Sequence, residues 1–131
     1  MRAELLAYLT TALSSSVLKM SSELPWNTAG EPLYLKNMKK VYLDIDQVAE
    51  SVMIAVLPGS NDVLQSLNTV RGYFVVDAKN QPSGLDQAVS ILLNAKNQIS
   101  IPNFGIESDY STEIVDDVII YTVEYRLNTT P

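Results

Sequence analysis

Apolar residues near the start of the chain recur at three- and four-residue spacing. Leu5, Leu6, Leu9, Leu13, Val17 and Met20 therefore share one side of a helix over residues 2–20. Arg2, Glu4, Thr10, Ser14 and Ser15 fall mostly elsewhere, and the serine triplet at 14–16 is weak helix material. Residues 21–31 read as a loop, with Pro25, Gly30 and the polar step Asn27-Thr28. The period then drops to two. Residues 32–36 form a short strand candidate around Leu33, Tyr34 and Leu35. Residues 41–46 alternate, with Val41, Leu43 and Ile45 on one face and Tyr42, Asp44 and Asp46 on the other. Residues 52–57 are almost continuously apolar, which predicts a central strand. The Pro-Gly-Ser-Asn run after it is turn chemistry.

Residues 68–78 set Val70, Phe74 and Val76 against Arg71, Tyr73 and Asp77, the alternation of a half-buried strand. Pro82 and Ser83 open a second helix, over residues 83–97. Ser83 is its expected N-cap, Asp86 lies in its first turn, and Leu85, Ala88, Val89, Leu92 and Leu93 form its apolar face. Residues 99–101 are a short strand candidate and residues 102–108 a connection. A long final strand covers residues 113–127. Ile119, Tyr121, Val123, Tyr125 and Leu127 form its inner face, while Thr122, Glu124 and Arg126 point away. Strands cluster between helices instead of alternating with them. That order predicts an α+β fold: two helices packed on a largely antiparallel, twisted β-sheet, in a single domain spanning residues 1–131.

Composition narrows the chemistry. The chain has no cysteine and no histidine. Thiolate sites and disulfides are therefore excluded, as is any Ser–His–Asp triad made within one chain. No glycines are spaced to cradle phosphate, and no cofactor is expected. The formal net charge of -6 argues against a basic nucleic-acid module and against attachment to anionic membrane. No run approaches the roughly 20 apolar residues of a membrane span, and no secretory signal is evident.

What chemistry remains rests on carboxylates and lysines. Asp44 and Asp46 form an Asp-x-Asp pair of the kind that holds a hard cation, but a solvent-facing strand explains them more simply, and no bound metal is expected. Glu107, Asp109, Glu113, Asp116 and Asp117 form the densest acidic stretch. Paired carboxylates do acid–base work only where their environments split them, and sequence neighbours on a strand face opposite ways, so a solvated acidic face is expected. Lys36, Lys39 and Lys40 make the one basic cluster, a solvated turn or a docking loop. Trp26, the single tryptophan, lies in the first loop, where it either plugs the edge of the core or anchors a subunit contact.

Several stretches together resemble the tail terminator proteins of long-tailed bacteriophages. These are the loop and Tyr-containing segment Pro25-Trp26-Asn27-Thr28-Ala29-Gly30-Glu31-Pro32-Leu33-Tyr34-Leu35-Lys36, the strand Arg71-Gly72-Tyr73-Phe74-Val75-Val76-Asp77, the turn Gln81-Pro82-Ser83-Gly84 before a helix, and the closing strand over residues 118–127. Their order matches over about four-fifths of the chain. The sequence departs from the family pattern at Ala78-Lys79-Asn80, where a Pro-Gly turn is common, and over residues 62–68. The resemblance implies a structural virion protein and not an enzyme. It implies a hexameric ring, assembled in the host cytoplasm, that caps the head-proximal end of the tail tube. Its partners would be the tail tube protein and a head-completion or connector protein. DNA would pass through the lumen without specific binding, and the acidic stretch would suit a lumen or rim, because negative walls repel phosphate. Two other readings stand beside it: another ring-forming neck or tube protein, and, from a different class, a small carboxylate-dependent enzyme.

Overall fold

The computed structural model describes the backbone of residues 2–45, 47–55, 63–95 and 104–129, and the side chains of 2–45, 69–95 and 109–126. The fold is α+β. Helices α1 (Arg2–Ala12) and α2 (Leu85–Leu93) accompany a 6-stranded sheet. Its strands are β1 (Lys19–Ser21), β2 (Lys40–Leu43), β3 (Gln47–Ala55), β4 (Val63–Asp77), β5 (Phe104–Val115) and β6 (Val118–Thr129). The order across the sheet is β1-β2-β4-β6-β5, and β3 pairs with β4 alongside β2. Among the described residues only β1 and β2 run parallel; the other pairs are antiparallel.

The middle of the sheet is β4, not the 52–57 run. At 15 residues, β4 is long enough to pair with β3 and β2 in succession along one side and with β6 along the other. Among the described residues β3 has β4 as its only partner, so it flanks the sheet. Residues 56–62, including the expected turn, lie outside the described residues, as does the 99–101 strand candidate.

One sheet face carries the core. Val41 and Leu43 of β2, Val70, Phe74 and Val76 of β4, and Ile119, Val123 and Tyr125 of β6 are buried there, as the alternation of each strand predicts. Against them pack Leu5, Leu9 and Leu13 from the first helix and the turn after it, and Leu85, Ala88 and Leu92 of α2. Gly72 of β4 faces this layer, and a Cβ there would lie 3.1 Å from Leu43 Cδ2; the bare backbone lets β2 pack tightly at that point.

The first helix ends at Ala12 and not at residue 20. Thr10 and Thr11 turn their hydroxyls back to the carbonyls of Leu6 and Ala7, and Ser14 N–H and Ser16 N–H bond three residues back, to Thr11 and Leu13. The chain leaves the helix through a tight turn in which Leu13 and Leu18 stay buried, and Met20 enters β1 instead. Arg2 fastens the other end, donating to the carbonyls of Leu43 (3.0 Å) and Ser22 (3.1 Å).

Four further boundaries depart from expectation. Residues 33–35 form a 3-10 turn rather than a strand, closed by Lys36 N–H on the Leu33 carbonyl at 3.1 Å. Pro32 cannot donate to a ladder, and Asn27 Oδ1 accepts from Ala29 N–H and Glu31 N–H, which folds this stretch into a compact loop. Alternation over 41–46 stops at Leu43. Ile45 is exposed, while Tyr42 is buried on the sheet's second face, its hydroxyl 2.8 Å from Asn37 Nδ2. Helix α2 is capped by Gly84, not Ser83: Gly84 takes φ 86, a left-handed backbone that glycine adopts without strain, and no side-chain cap bond is made. Finally, residues 104–108 of the expected connection and the expected 113–127 strand form instead a hairpin of β5 and β6, which turns through Asp116 and Asp117 with Asp116 at φ 54, and residues 102 and 103 lie outside the described residues.

Tyr125 ties sheet to helix. It is fully buried, and its hydroxyl donates to the Leu92 carbonyl at 2.7 Å. Burial, with Tyr8 nearby, pushes its phenol above the ordinary 10.0. Tyr125→Phe strands that carbonyl and should cost ~1–3 kcal/mol. The pH dependence has a definite sign. Below the ordinary phenol range both states keep the proton and the stability due to Tyr125 is fully present. Above it the unfolded chain ionises first, so stability is lost as pH rises. Denaturant midpoints at about pH 8 and about pH 11 should therefore fall more steeply in the parent than in Tyr125→Phe; equal slopes would contradict the buried hydroxyl.

Candidate functional site

The second face of the sheet divides in two. On the β2–β4 side it is covered by the loop between β1 and β2. Trp26 meets Tyr73 of β4 edge-on at 5.0 Å and Tyr34 at 5.9 Å, and Tyr34 stacks on Tyr73 at 5.1 Å. Pro25 accepts from Leu33 N–H at 2.7 Å, which fixes the loop's neck. Trp26 thus plugs the sheet, although 37% of it remains exposed. Burial raises the Tyr73 phenol, and burial together with Glu113 raises that of Tyr34.

On the β6–β5 side the same face is open and polar. Arg71 Nε lies 3.2 Å from Glu124 Oε2, and Arg126 Nε lies 3.8 Å from Glu124 Oε1. Asp109, Ser111, Thr122 and Glu124 line a shallow surface hollow there with Tyr110 at its rim. In register, Asp109 opposes Glu124 and Glu113 opposes Ile120, so both acids stand on this open face. Glu107 pairs with Arg126 in backbone register, and its side chain lies outside the described ones. Asp116 and Asp117 occupy the hairpin turn. Asp117 Oδ1 is 3.5 Å from Lys79 Nζ, and its carbonyl accepts from Ala78 N–H at 2.8 Å.

The lysine cluster lies at the same end of the sheet but toward the opposite edge. Lys40 begins β2; Lys39 N–H donates to the Val75 carbonyl, and Lys19 N–H donates to the Lys39 carbonyl. Lys36 pairs with Glu31 at 2.9 Å, with both side chains more than half exposed. Exposed ion pairs of this kind add little stability. Lys39 and Lys40 have no ion-pair partner among the described residues. Asp44 sits where β2 gives way to β3, donating its N–H to the Arg71 carbonyl at 2.7 Å, while Asp46 lies outside the described residues. The carboxylates singled out in the sequence are therefore spread along one strand, a turn and a break between strands. Among the described residues no group of three metal-ligating side chains forms, and no helix is long and apolar enough to cross a membrane.

Sequence reasoning missed the apolar part of these surfaces. Ile114 is 70% exposed and Val115 40% exposed at the end of β5, with Tyr110 exposed further along it. Leu35 (43%) and Met38 (47%) are exposed among the lysines. The signal was present as the turn-forming pair Asp116-Asp117 between Ile-Val and Val-Ile, which marks a two-residue hairpin. Reading residues 113–127 as one strand hid that edge.

The chain matches no model of a known protein family and no curated protein.

Proposed function

We propose that this chain is a ring-forming subunit that caps the head-proximal end of a long-tailed phage tail tube, ends tube polymerisation and joins the tail to the head connector. The observation that supports it most is the β5–β6 hairpin. Its outer strand has no further strand partner among the described residues, yet it carries Tyr110, Ile114 and Val115 in exposed positions. A monomer that stays in solution normally blunts such an edge and covers such side chains. A subunit that closes a ring by head-to-tail contacts needs an edge of this kind on one side and a receiving surface on another. The residues that resemble tail terminators add to the same reading.

In this function the work is steric. One face of the ring copies the stacking surface of a tube subunit, the other receives the connector, and nothing is turned over chemically. Glu107 and Asp109, further along β5, supply a negative lumen or rim past which DNA slides, while Glu113, Asp116 and Asp117 stand at the hairpin tip, on the side that meets other subunits. Lys36, Lys39 and Lys40 lie on a surface that meets other subunits, and Trp26, which packs on Tyr34 and Tyr73, adds only its exposed edge to such a contact. Electron microscopy of negatively stained tail tubes, assembled with and without this chain, tests the reading. The expected result is a single six-fold ring at one tube end and arrested growth. Long tubes built by this chain alone would make it a tube subunit, and failure to bind either tube end would overturn the function.

A further inference from the structure

We propose that the tip of the β5–β6 hairpin in one copy seats on the 35–40 segment of the neighbouring copy; the contact rests on the ring reading for its partner, a second copy of this chain. Two exposed patches on the molecule match in composition and oppose in charge. The tip presents Val115 and Glu113 on the open face and Ile114 on the helix face, with Asp116 and Asp117 in the turn that joins them. The 35–40 segment presents Leu35 and Met38 flanked by Lys39 and Lys40. No lysine or arginine lies between residues 104 and 125, and no acidic residue lies between 32 and 43. The fold brings Lys79 to Asp117 at 3.5 Å and Asp77 beside Met38 and Lys39, so acid predominates at the tip and lysine in the segment.

Among the described residues no ion pair joins the two patches within one chain, and Glu113 reaches only the Tyr34 phenol beside the segment, which burial and Glu113 together raise. Both lie at the end of the sheet where β2 and β6 begin and β4 and β5 end. However, β4 and β6 separate β2 from β5, and three strand spacings put roughly 14 Å between them. At that separation exposed charges in ~0.15 M salt, where the Debye length is about 8 Å, are largely screened. Asp117 has Lys79 at 3.5 Å, with both side chains about three-quarters exposed, whereas Glu113, Asp116, Lys39 and Lys40 have no ion-pair partner among the described residues. The patches also belong to opposite flanks of the sheet, so tip-on-segment contact is heterologous. It leaves each copy with one patch free for the next, which is the geometry that closes into a ring.

The contact predicts the sign of the salt dependence. A ring held back by carboxylates facing one another across a pore strengthens as salt is added, whereas a ring joined by acid on base weakens. The experiment measures the fraction of the chain in rings by sedimentation, alone and with tube ends, at about 0.05 M and about 0.5 M NaCl. The expected result is weaker association at high salt. Lys39→Glu/Lys40→Glu and Glu113→Lys/Asp117→Lys should each lower the association constant by about tenfold or more, and an equimolar mixture of the two variants should recover mixed contacts. The combined four-fold variant should return to within about threefold of the parent. Ile114→Ser, which changes no charge, should also weaken the ring. Monomer melting curves unchanged across the set establish that these exposed positions do not act through folding. Rings that form normally in both charge variants, that fail to recover in the combined variant, or that tighten with salt overturn the contact while leaving the ring reading intact. A parent chain that forms no ring under any of these conditions overturns both.

Discussion

Phe74→Ala is expected to lower folding stability by ~3–5 kcal/mol, the largest loss from any single truncation considered. Phe74 is fully buried in β4, and its ring stacks on Tyr121 of β6 at 4.6 Å with the planes 8° apart. Truncation removes the transfer energy of the ring and leaves a hole in the middle of the layer. Val70 and Val76, on the same strand face, are held by their own ladders and cannot close it. Removing the partner ring also frees Tyr121, which stacks more loosely on Tyr110 at 6.3 Å. The loss should appear as a melting temperature lowered by about 10 °C or more and as an earlier denaturant midpoint. A loss below about 1 kcal/mol would mean that β4 does not hold the centre of the core.

Leu92→Ala should cost ~2–5 kcal/mol. Leu92 is fully buried on the inner side of α2, and its carbonyl receives the Tyr125 hydroxyl. The side chain and the carbonyl therefore act on the same junction through different atoms. Because the two groups meet at one place, Leu92→Ala combined with Tyr125→Phe should not be additive: once the helix packs loosely, the stranded carbonyl can reach water. Equal stability of Leu92→Ala and the parent would place the wrong face of α2 against the sheet. Strict additivity in the double variant would separate the hydrogen bond from the packing.

These two variants probe the part of the fold most legible in the sequence. A buried strand face and a buried helix face are written as local periods, of two and of three to four residues, and burial follows the period wherever one side of the element meets water. Val70, Phe74 and Val76, then Ile119, Val123 and Tyr125, then Leu85, Ala88 and Leu92, all sit where their spacing puts them. Boundaries were less legible. Leu13, Val17 and Met20 continue the helical spacing of Leu5 and Leu9, but the chain turns at the serines and still buries Leu13 and Leu18. A tight turn that happens to keep apolar residues inward looks, in sequence, like more helix.

The exposed surfaces were legible as charge and not as shape. Lys36, Lys39 and Lys40, and the acids from Glu107 to Asp117, stand out in the sequence because like charges in a row need only counting. The apolar residues beside them do not stand out, because Ile114, Val115, Leu35 and Met38 have the same composition as core residues. What makes them surface is where a strand's neighbours stop.

The sequence by itself determined the class of fold, the inner faces of its strands and helices, and the exclusion of thiol and imidazole chemistry. Each of these depends on residue type or on spacing within a few residues. Only the tertiary structure decided that β4 rather than the 52–57 run holds the centre, and that Tyr42 is buried beneath a loop while Ile45 is not. It alone decided that, among the described residues, β5 is the last strand of the sheet, with Ile114 exposed, on the opposite flank from the lysines. The physical reason is the same in each case. Which strand is central, and which side chain lacks a cover, depends on partners brought together from 30 to 60 residues away along the chain, and no local period records them.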